Sequence, residues 1–220
     1  MKISIITLFP EVFDPILNSS ILKRAQIKGK VEFEFINLRD FGKGKHQIVD
    51  GKVYGGGVGM LFRADILAKA LPKPGHVILT SASGTPYKQK KARELSKLNH
   101  LVIICGHYEG VDQRFIDKYV DEEISIGDYV LTGGEIPAMV IADSIVRLIT
   151  GVLEKPEAIE EESFTRGLLE YPQYTRPEEF ESRKVPDVLL SGNHQEIAKW
   201  RMKKALEKTK KIRPDLLKRV

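Results

Sequence analysis

Three short runs of the chain are apolar almost without interruption: Ile3–Leu8, His76–Ser81 and Leu101–Cys105. They are rich in β-branched residues and lack polar alternation, which predicts parallel strands covered on both faces. Val31–Leu38 behaves differently. There Val31, Phe33 and Phe35 alternate with Glu32 and Glu34, the pattern of a strand with one wet face at a sheet edge. Helix-like segments lie between the runs: Ser20–Lys28, Ala64–Ala70, Pro86–Leu98, Val111–Tyr119 and Glu135–Ile149. Thr85 stands where a cap would precede the third of these. Pro86 fits its first helical position, where a missing N–H does no harm. The β–α–β rhythm predicts an α/β fold built on a parallel sheet.

Near Gly151 the pattern changes. From Glu157 to Glu181 there are eight Glu against two Arg, with Pro156, Pro172 and Pro177 as breakers, so this stretch reads as an acidic, irregular connection. A helix over Gln195–Lys208 follows, on which Ile197, Trp200 and Leu206 form an apolar stripe. The expected organisation is an α/β domain over 1–155, a connection over 156–170 and a small, mostly helical domain over 171–220. No internal repeat or low-complexity tract interrupts it.

With 42% apolar residues among 220, the chain can bury a real core. Its net charge of +5 is unevenly placed. Gly192–Val220 carries ten Lys/Arg against three Asp/Glu, so the rest of the chain is slightly acidic. A basic tail leans toward a polyanionic partner. The single cysteine, Cys105, excludes an internal disulfide and a Cys-rich zinc site, and in its apolar run it reads as a small buried hydrophobe. The five histidines show no paired spacing, so no catalytic metal is expected. Pro10 and Glu11 break the N-terminal apolar run before any secretory pattern forms. The longest apolar stretch, Ile136–Ile149, contains Asp143 and Arg147 and is too short to span a bilayer. The expectation is a soluble, cytoplasmic protein with no membrane partner.

The candidate chemistry sits after the strands. Ser81-Ala82-Ser83-Gly84, Gly106-His107-Tyr108-Glu109-Gly110 and Ser125-Ile126-Gly127-Asp128-Tyr129 are glycine-bearing loops at successive strand ends, and Gly133-Gly134 opens the long helix. In open parallel sheets ligands bind outside the carboxyl ends of the strands. Glycines there let backbone groups approach a flat small molecule. The chain contains neither G-x-x-x-x-G-K-[ST] nor G-x-G-x-x-G after its first strand, which argues against a P-loop and a dinucleotide fold. The densest glycine run, Tyr54–Met60, follows a long polar loop, Arg39–Lys52, and reads either as a flexible turn or as a surface brought close to something large. Without a metal, catalysis would fall to carboxylates and arginines: Asp50, Glu109, Asp112, Asp128, Arg147 and the Glu160-Glu161-Glu162 cluster.

Several motifs then occur in a fixed order: Leu8-Phe9-Pro10, Tyr54-Gly55-Gly56-Gly57 with Gly59-Met60, Cys105-Gly106 with Tyr108-Glu109-Gly110, Ser125–Leu131, Gly133-Gly134-Glu135, Ser163-Phe164, Tyr174-Thr175-Arg176-Pro177 and Ser191-Gly192-Asn193-His194. Together they resemble the bacterial tRNA (guanine-N1)-methyltransferases acting at tRNA position 37, of the SPOUT superfamily, over nearly the whole chain. The resemblance implies a C-terminal trefoil knot in the α/β domain, a rare exception to unknotted chains. It implies S-adenosyl-L-methionine as methyl donor, contacted by Gly106 and by Ile126, Gly127, Asp128, Tyr129, Val130 and Leu131. Ser81, Tyr108, Glu109, Gly133 and Gly134 would complete that pocket. It implies a homodimer with shared active sites and a C-terminal domain that grips the tRNA anticodon arm, and it leaves room for Mg²⁺.

Guanine N1 carries a proton at neutral pH, so the reaction needs a base, and the charge that spreads to O6 needs a cation. By motif position the cation is Arg147 and the base is Glu162, before Ser163-Phe164. The family usually has Asp at the base position, and Glu161 and Glu160 stand beside it as alternatives. His107 is a second departure, since relatives have Arg there. The chain also stops soon after Arg213-Pro214, which would reduce part of the RNA-binding surface. Ribose or ribosomal-RNA methylation on the same fold, a non-catalytic RNA-binding module and a nucleotide hydrolase each explain fewer of these motifs.

Overall fold

The computed structural model describes residues 1–155, 159 and 161–219, with side chains described as far as Leu217. The chain divides into two compact units, Met1–Glu154 and Lys155–Val220. In chain order the first contains β1 (Lys2–Thr7), α1 (Asp14–Leu17), α2 (Ser20–Ile27), β2 (Glu32–Asn37), β3 (Asp50–Lys52), β4 (Met60–Phe62), α3 (Ala64–Ala70), β5 (His76–Pro86), α4 (Gln89–Leu95), β6 (His100–Cys105), α5 (Gln113–Tyr119), β7 (Glu122–Ser125) and α6 (Glu135–Val146).

Five of the strands form a parallel sheet in the order β2-β1-β6-β5-β7. Successive side chains of a strand point to opposite faces, and this sorts the core. Ile3, Ile5, Leu101, Ile103 and Ile78 pack on one face with Ala25, Leu95, Ile141 and Ile145 from α2, α4 and α6. Ile6, Val102, Ile104, Val77 and Leu79 pack on the other with Ile66, Leu67 and Phe115 from α3 and α5. Burial on both faces explains the unbroken apolar runs, and β2, the alternating one, is an edge.

The structure corrects the start of the fourth helix. Thr85 and Pro86 belong to β5, not to a helix beginning at Pro86. The pairing of β5 with β7 shifts register between Thr80 and Thr85, so Ser81–Gly84 leave the ladder and the strand then resumes. Thr85 Oγ1 donates to the Glu123 carbonyl at 2.9 Å instead of capping. Pro86 needs no N–H toward β6, because that pairing ends at Thr80–Cys105. The helix begins at Gln89. The polar stretch Arg39–Lys52 ends in a strand, β3, which pairs antiparallel with β4, and the glycine run after Tyr54 forms the exposed turn between them. A 3₁₀ turn, Leu38–Phe41, occupies the start of the preceding polar stretch.

The second unit contains β8 (Glu179–Phe180), β9 (Arg183–Lys184), α7 (Asp187–Leu190) and α8 (His194–Ile212). Asn193 Oδ1 caps α8 by accepting from the Gln195 and Glu196 N–H groups at 3.2 and 3.3 Å. Residues 161–171 pack within this unit; the Leu169 N–H, for example, donates to Thr209 Oγ1 at 2.9 Å. On α8 the buried positions are Ala205 and Thr209, while Leu206 is exposed. Of the apolar stripe, Ile197 and Trp200 are half-buried, and the Trp200 ring packs against Tyr174 with centroids 6.2 Å apart.

Candidate functional site

Beyond the carboxyl ends of β5, β6 and β7 the first unit has a cleft of about 400 Å³, walled by the excursion at Ser81–Ser83, the loop Gly106–Gly110 and the segment from Ile126 to Pro137. That volume suits a small molecule. The walls meet as backbones. A Cβ on Gly134 would come within 2.5 Å of the Gly106 nitrogen and 2.7 Å of Cys105 Cα, and one on Gly106 within 2.6 Å of the Thr80 carbonyl oxygen. No side chain fits in these approaches, so glycine is required there. Thr80 fastens the junction: its Oγ1 donates to the Ile104 carbonyl at 3.1 Å and accepts the Gly106 N–H at 3.2 Å.

At one end of the cleft Glu135, the first residue of α6, is almost fully buried. Thr7 Oγ1 donates to it at 2.7 Å, and His107 Nε2 lies 2.7 and 2.9 Å from its two oxygens. Burial pushes its carboxyl up, but the hydrogen bonds from His107 and Thr7 outweigh that and hold it below the ordinary value. The start of a helix also favours a negative charge. The cleft lining includes the carboxylates Glu109 and Glu123 and, among the described residues, no Lys or Arg.

Ser81, Gly106, Glu109, Ile126, Gly127, Tyr129, Val130, Leu131, Gly133 and Gly134 all line this cleft. Tyr108 and Asp128 fall outside the lining. Tyr108, at φ +57°, packs edge-on against Phe62 with ring centroids 5.4 Å apart. Burial and the nearby Asp50 charge raise its phenol above the usual value. Asp128 is exposed. The motifs missed Leu79, Ile116, Ile124, Thr132 and Pro137, which also line the space. For Leu79, Ile124, Thr132 and Pro137 the signal was adjacency to the glycine loops; Ile116, in the middle of α5, left none.

Comparison with known proteins identifies the chain's kin. A family model described as tRNA (Guanine-1)-methyltransferase TrmD matches residues 1–219. A tRNA (guanine-N(1)-)-methyltransferase of Dictyoglomus turgidum is 56% identical, over 99% of this chain and 90% of its own length. Proteins of the same name from Bacillus pumilus and Mycoplasmopsis synoviae are 53% and 52% identical, over 99% and 100% of this chain and 92% and 98% of theirs. The chain belongs to the TrmD family.

The two residues that the family motifs single out for catalysis lie in different units. Arg147 caps the C-terminal end of α6, where a helix favours a cation, and is half-buried. Glu162 is half-buried in the second unit, and its carbonyl accepts the Thr165 N–H at 3.2 Å. The turn continues with Ser163 Oγ accepting the Glu170 N–H at 3.0 Å, and with Phe164 at φ +74°. Glu162 lines a cavity of about 190 Å³ together with Glu161, Tyr171 and, from α8, Arg201 and Met202. Glu161 accepts a hydrogen bond from the Tyr171 hydroxyl at 2.7 Å, and the Arg201 guanidinium stacks on that ring at 4.9 Å. Glu160 lies outside the described residues.

Of the other carboxylates, Asp112 has a structural task. It caps α5 through the Arg114 N–H at 3.0 Å and grips the Arg114 guanidinium at 2.9 and 2.6 Å. Among the described residues no group of three or more His, Cys, Asp or Glu is placed to hold a metal ion. No helix among them is long and apolar enough to cross a membrane.

Proposed function

We propose that this protein transfers the methyl group of S-adenosyl-L-methionine to N1 of guanine 37 in tRNA, beside the anticodon. One observation carries the reading: a chain that matches the TrmD family from residue 1 to 219 has a glycine-walled cleft at the carboxyl end of its sheet. The residues present fit the donor. Close-set backbones at Gly106 and Gly134 suit a flat adenine, and a lining with Glu109 and Glu123 but no described Lys or Arg suits a sulfonium cation better than a phosphate chain. Ser81, the loop from Gly106 to Glu109 and the segment from Ile126 to Gly134 would hold it. When bound, it supplies a methyl group on a sulfur that is already a good leaving group. Glu162 takes the proton from guanine N1, and Arg147 stabilises the charge that spreads to O6.

The same reading extends to the fold and the assembly. The chain leaves β7 at the sheet edge and returns to set Gly134 against Thr80 and Gly106, which supports threading as a trefoil knot. Exposed Ile136 and Val140, one turn apart on α6, support a homodimer interface, as do exposed Phe9, Val12 and Ile16. The basic α8 unit takes the anticodon arm, and the enzyme works in the cytoplasm, where its substrate is. The test is incubation with S-adenosyl-L-methionine and unmodified tRNA carrying guanine at positions 36 and 37, with and without Mg²⁺, followed by mass spectrometry of the nucleosides. N1-methylguanosine at position 37 is expected, and its absence under both conditions overturns the proposal.

A further inference from the structure

The turn that begins at Glu162 is closed at its neck by side chains. Glu161 stands just before it and Tyr171 just after Glu170, and the Tyr171 hydroxyl donates to Glu161 Oε2 at 2.7 Å. Arg201 reaches the same two residues from α8. Its Nη1 lies 3.6 Å from that same oxygen, and its guanidinium carbon stands 4.9 Å from the centre of the Tyr171 ring. A cation at that range is drawn to an aromatic face. Arg201 Nε is buried and has no hydrogen-bond partner among the described residues. Burying a donor unpaired is costly, so the ring and the carboxylate hold the guanidinium in place against that cost. Burial and the Glu161 carboxylate raise the Tyr171 phenol above its ordinary value, which keeps its proton in place to donate. Inside the neck, the Thr165 N–H donates to the Glu162 carbonyl at 3.2 Å, the Phe164 N–H to the Leu168 carbonyl at 2.8 Å and the Glu170 N–H to Ser163 Oγ at 3.0 Å. These bonds fix the turn's shape. Its far part is tied to α8 through Leu169 and Thr209, and Arg201 acts right beside Glu162.

We infer that Tyr171 and Arg201 are positioning residues for methyl transfer: they close a clasp on Glu161 that aims the neighbouring Glu162 at guanine N1. This rests on the reading of Glu162 as the base. The proton goes to Glu162, and the clasp supplies placement alone. A base acts only within hydrogen-bond reach of the proton it takes, and a misplacement of about 1 Å can cost up to roughly 100-fold in rate. With the clasp open, the segment from Glu162 to Glu170 keeps its internal bonds but loses the fastening beside Glu162. The carboxylate then spends less of its time in the reactive place. Rate falls, and binding of the two substrates does not.

The experiment is a double-mutant cycle on the single-turnover rate, at saturating unmodified tRNA and S-adenosyl-L-methionine. Tyr171→Phe keeps the ring under Arg201 and removes the hydroxyl. Arg201→Lys keeps the charge and loses the planar fork that spans ring and carboxylate. Each is made in wild type and in Glu162→Gln. Each should slow wild type about tenfold and leave the residual rate of Glu162→Gln unchanged, since no base is left to aim. Dissociation constants for tRNA and donor should stay at their wild-type values. Glu161→Gln, which still accepts from Tyr171, should keep most of the rate that Glu161→Ala loses. A merely structural role would slow both backgrounds alike, and that result, or wild-type turnover by Tyr171→Phe, overturns the clasp. So does a loss confined to tRNA affinity, which would make Tyr171 an RNA contact. Normal turnover by Glu162→Gln itself overturns the reading of the base, and the clasp with it.

Discussion

The two units hold their functional groups in opposite ways. The first buries apolar residues on both faces of a five-stranded sheet. The walls of its cleft meet as backbones where Gly106 and Gly134 leave no room for a side chain. In the second unit, among the described residues, only Ala205 and Thr209 are buried, and its groups are held by side-chain pairs such as Tyr171–Glu161 and Arg201–Glu161. A site made of backbone is fixed by the fold, so substitutions there act through shape. A site held by half-exposed pairs is fixed by single atoms and charges, and it answers to isosteric changes and to salt.

The largest effect expected therefore comes from a one-atom change in the second unit. Glu162→Gln keeps size and hydrogen-bonding reach but cannot take a proton. It should bind tRNA and donor normally and lose roughly 10²–10⁴-fold in single-turnover rate. Glu162→Asp should retain substantial activity. Glu161→Gln can still accept from Tyr171 and should stay within a few-fold of wild type. Normal turnover by Glu162→Gln with a dead Glu161→Gln would move the base by one residue.

In the first unit the sharpest probe is a single methyl group. Gly134→Ala places a Cβ against Thr80 Oγ1, the Gly106 nitrogen and Cys105 Cα, all parts of the sheet's end that cannot swing aside. Overpacking of this kind destabilises by about 1–3 kcal/mol. Donor affinity should fall on the order of 100-fold, while Gly55→Ala, strained by its φ of +87° but outside the cleft and with nothing within 4 Å, should leave donor binding unchanged. Equal affinities for the two variants would mean that the close approach does not shape the site.

The same contrast decides what the sequence made legible. Strands β1, β5 and β6 stood out because burial on both faces removes polar positions, and β2 because an edge keeps them. β7 is short and begins with Glu122 and Glu123, so no apolar run marked it, although the loop after it did. Thr85 and Pro86 carried a valid helix-start signal that pairing with β7 overrode. Ten of the twelve residues that the family resemblance implies for the donor line one cleft, at the strand-end loops that the glycine pattern marked by itself. In the second unit acidic and proline-rich composition suggested a bare connection, yet residues 161–171 pack with α8 through Leu169 and Tyr171. Such packing uses single contacts that leave no periodic trace.

A smaller effect is expected from charge in the second unit. Lys203, Lys208 and Lys211 are exposed on α8. If each neutralises one phosphate, replacing all three with alanine should lower the slope of log affinity for tRNA against log salt by about 2–3 and weaken binding roughly tenfold near physiological salt. Donor affinity should not change. An unaltered salt slope in filter binding would take the RNA off this face of α8.

The smallest effect belongs to a hydroxyl in the first unit. Ser144 Oγ donates to the Ile141 carbonyl at 2.9 Å, so the Tyr87 hydroxyl, 2.7 Å away, is the donor of the bond between them. The contact ties the end of β5 to α6. Burial pushes the Tyr87 phenol up to about 12, and the Ser144 hydrogen bond opposes this only partly. The unfolded chain gives up that proton near pH 10 and the folded chain only near 12, so between them the folded state binds more protons. The stability from keeping this phenol neutral is complete below about pH 10 and is lost as the pH rises toward 12. The slope is at most about 1.4 kcal/mol per pH unit, less what the half-exposed ring recovers from water. Tyr87→Phe removes the ionisation and the hydrogen bond together. It should lower stability at pH 8 by about 1 kcal/mol and flatten the alkaline decline seen in urea unfolding. A variant that loses stability at pH 8 yet declines as steeply as wild type would leave the hydrogen bond in place as a stabiliser and assign the alkaline slope to another group.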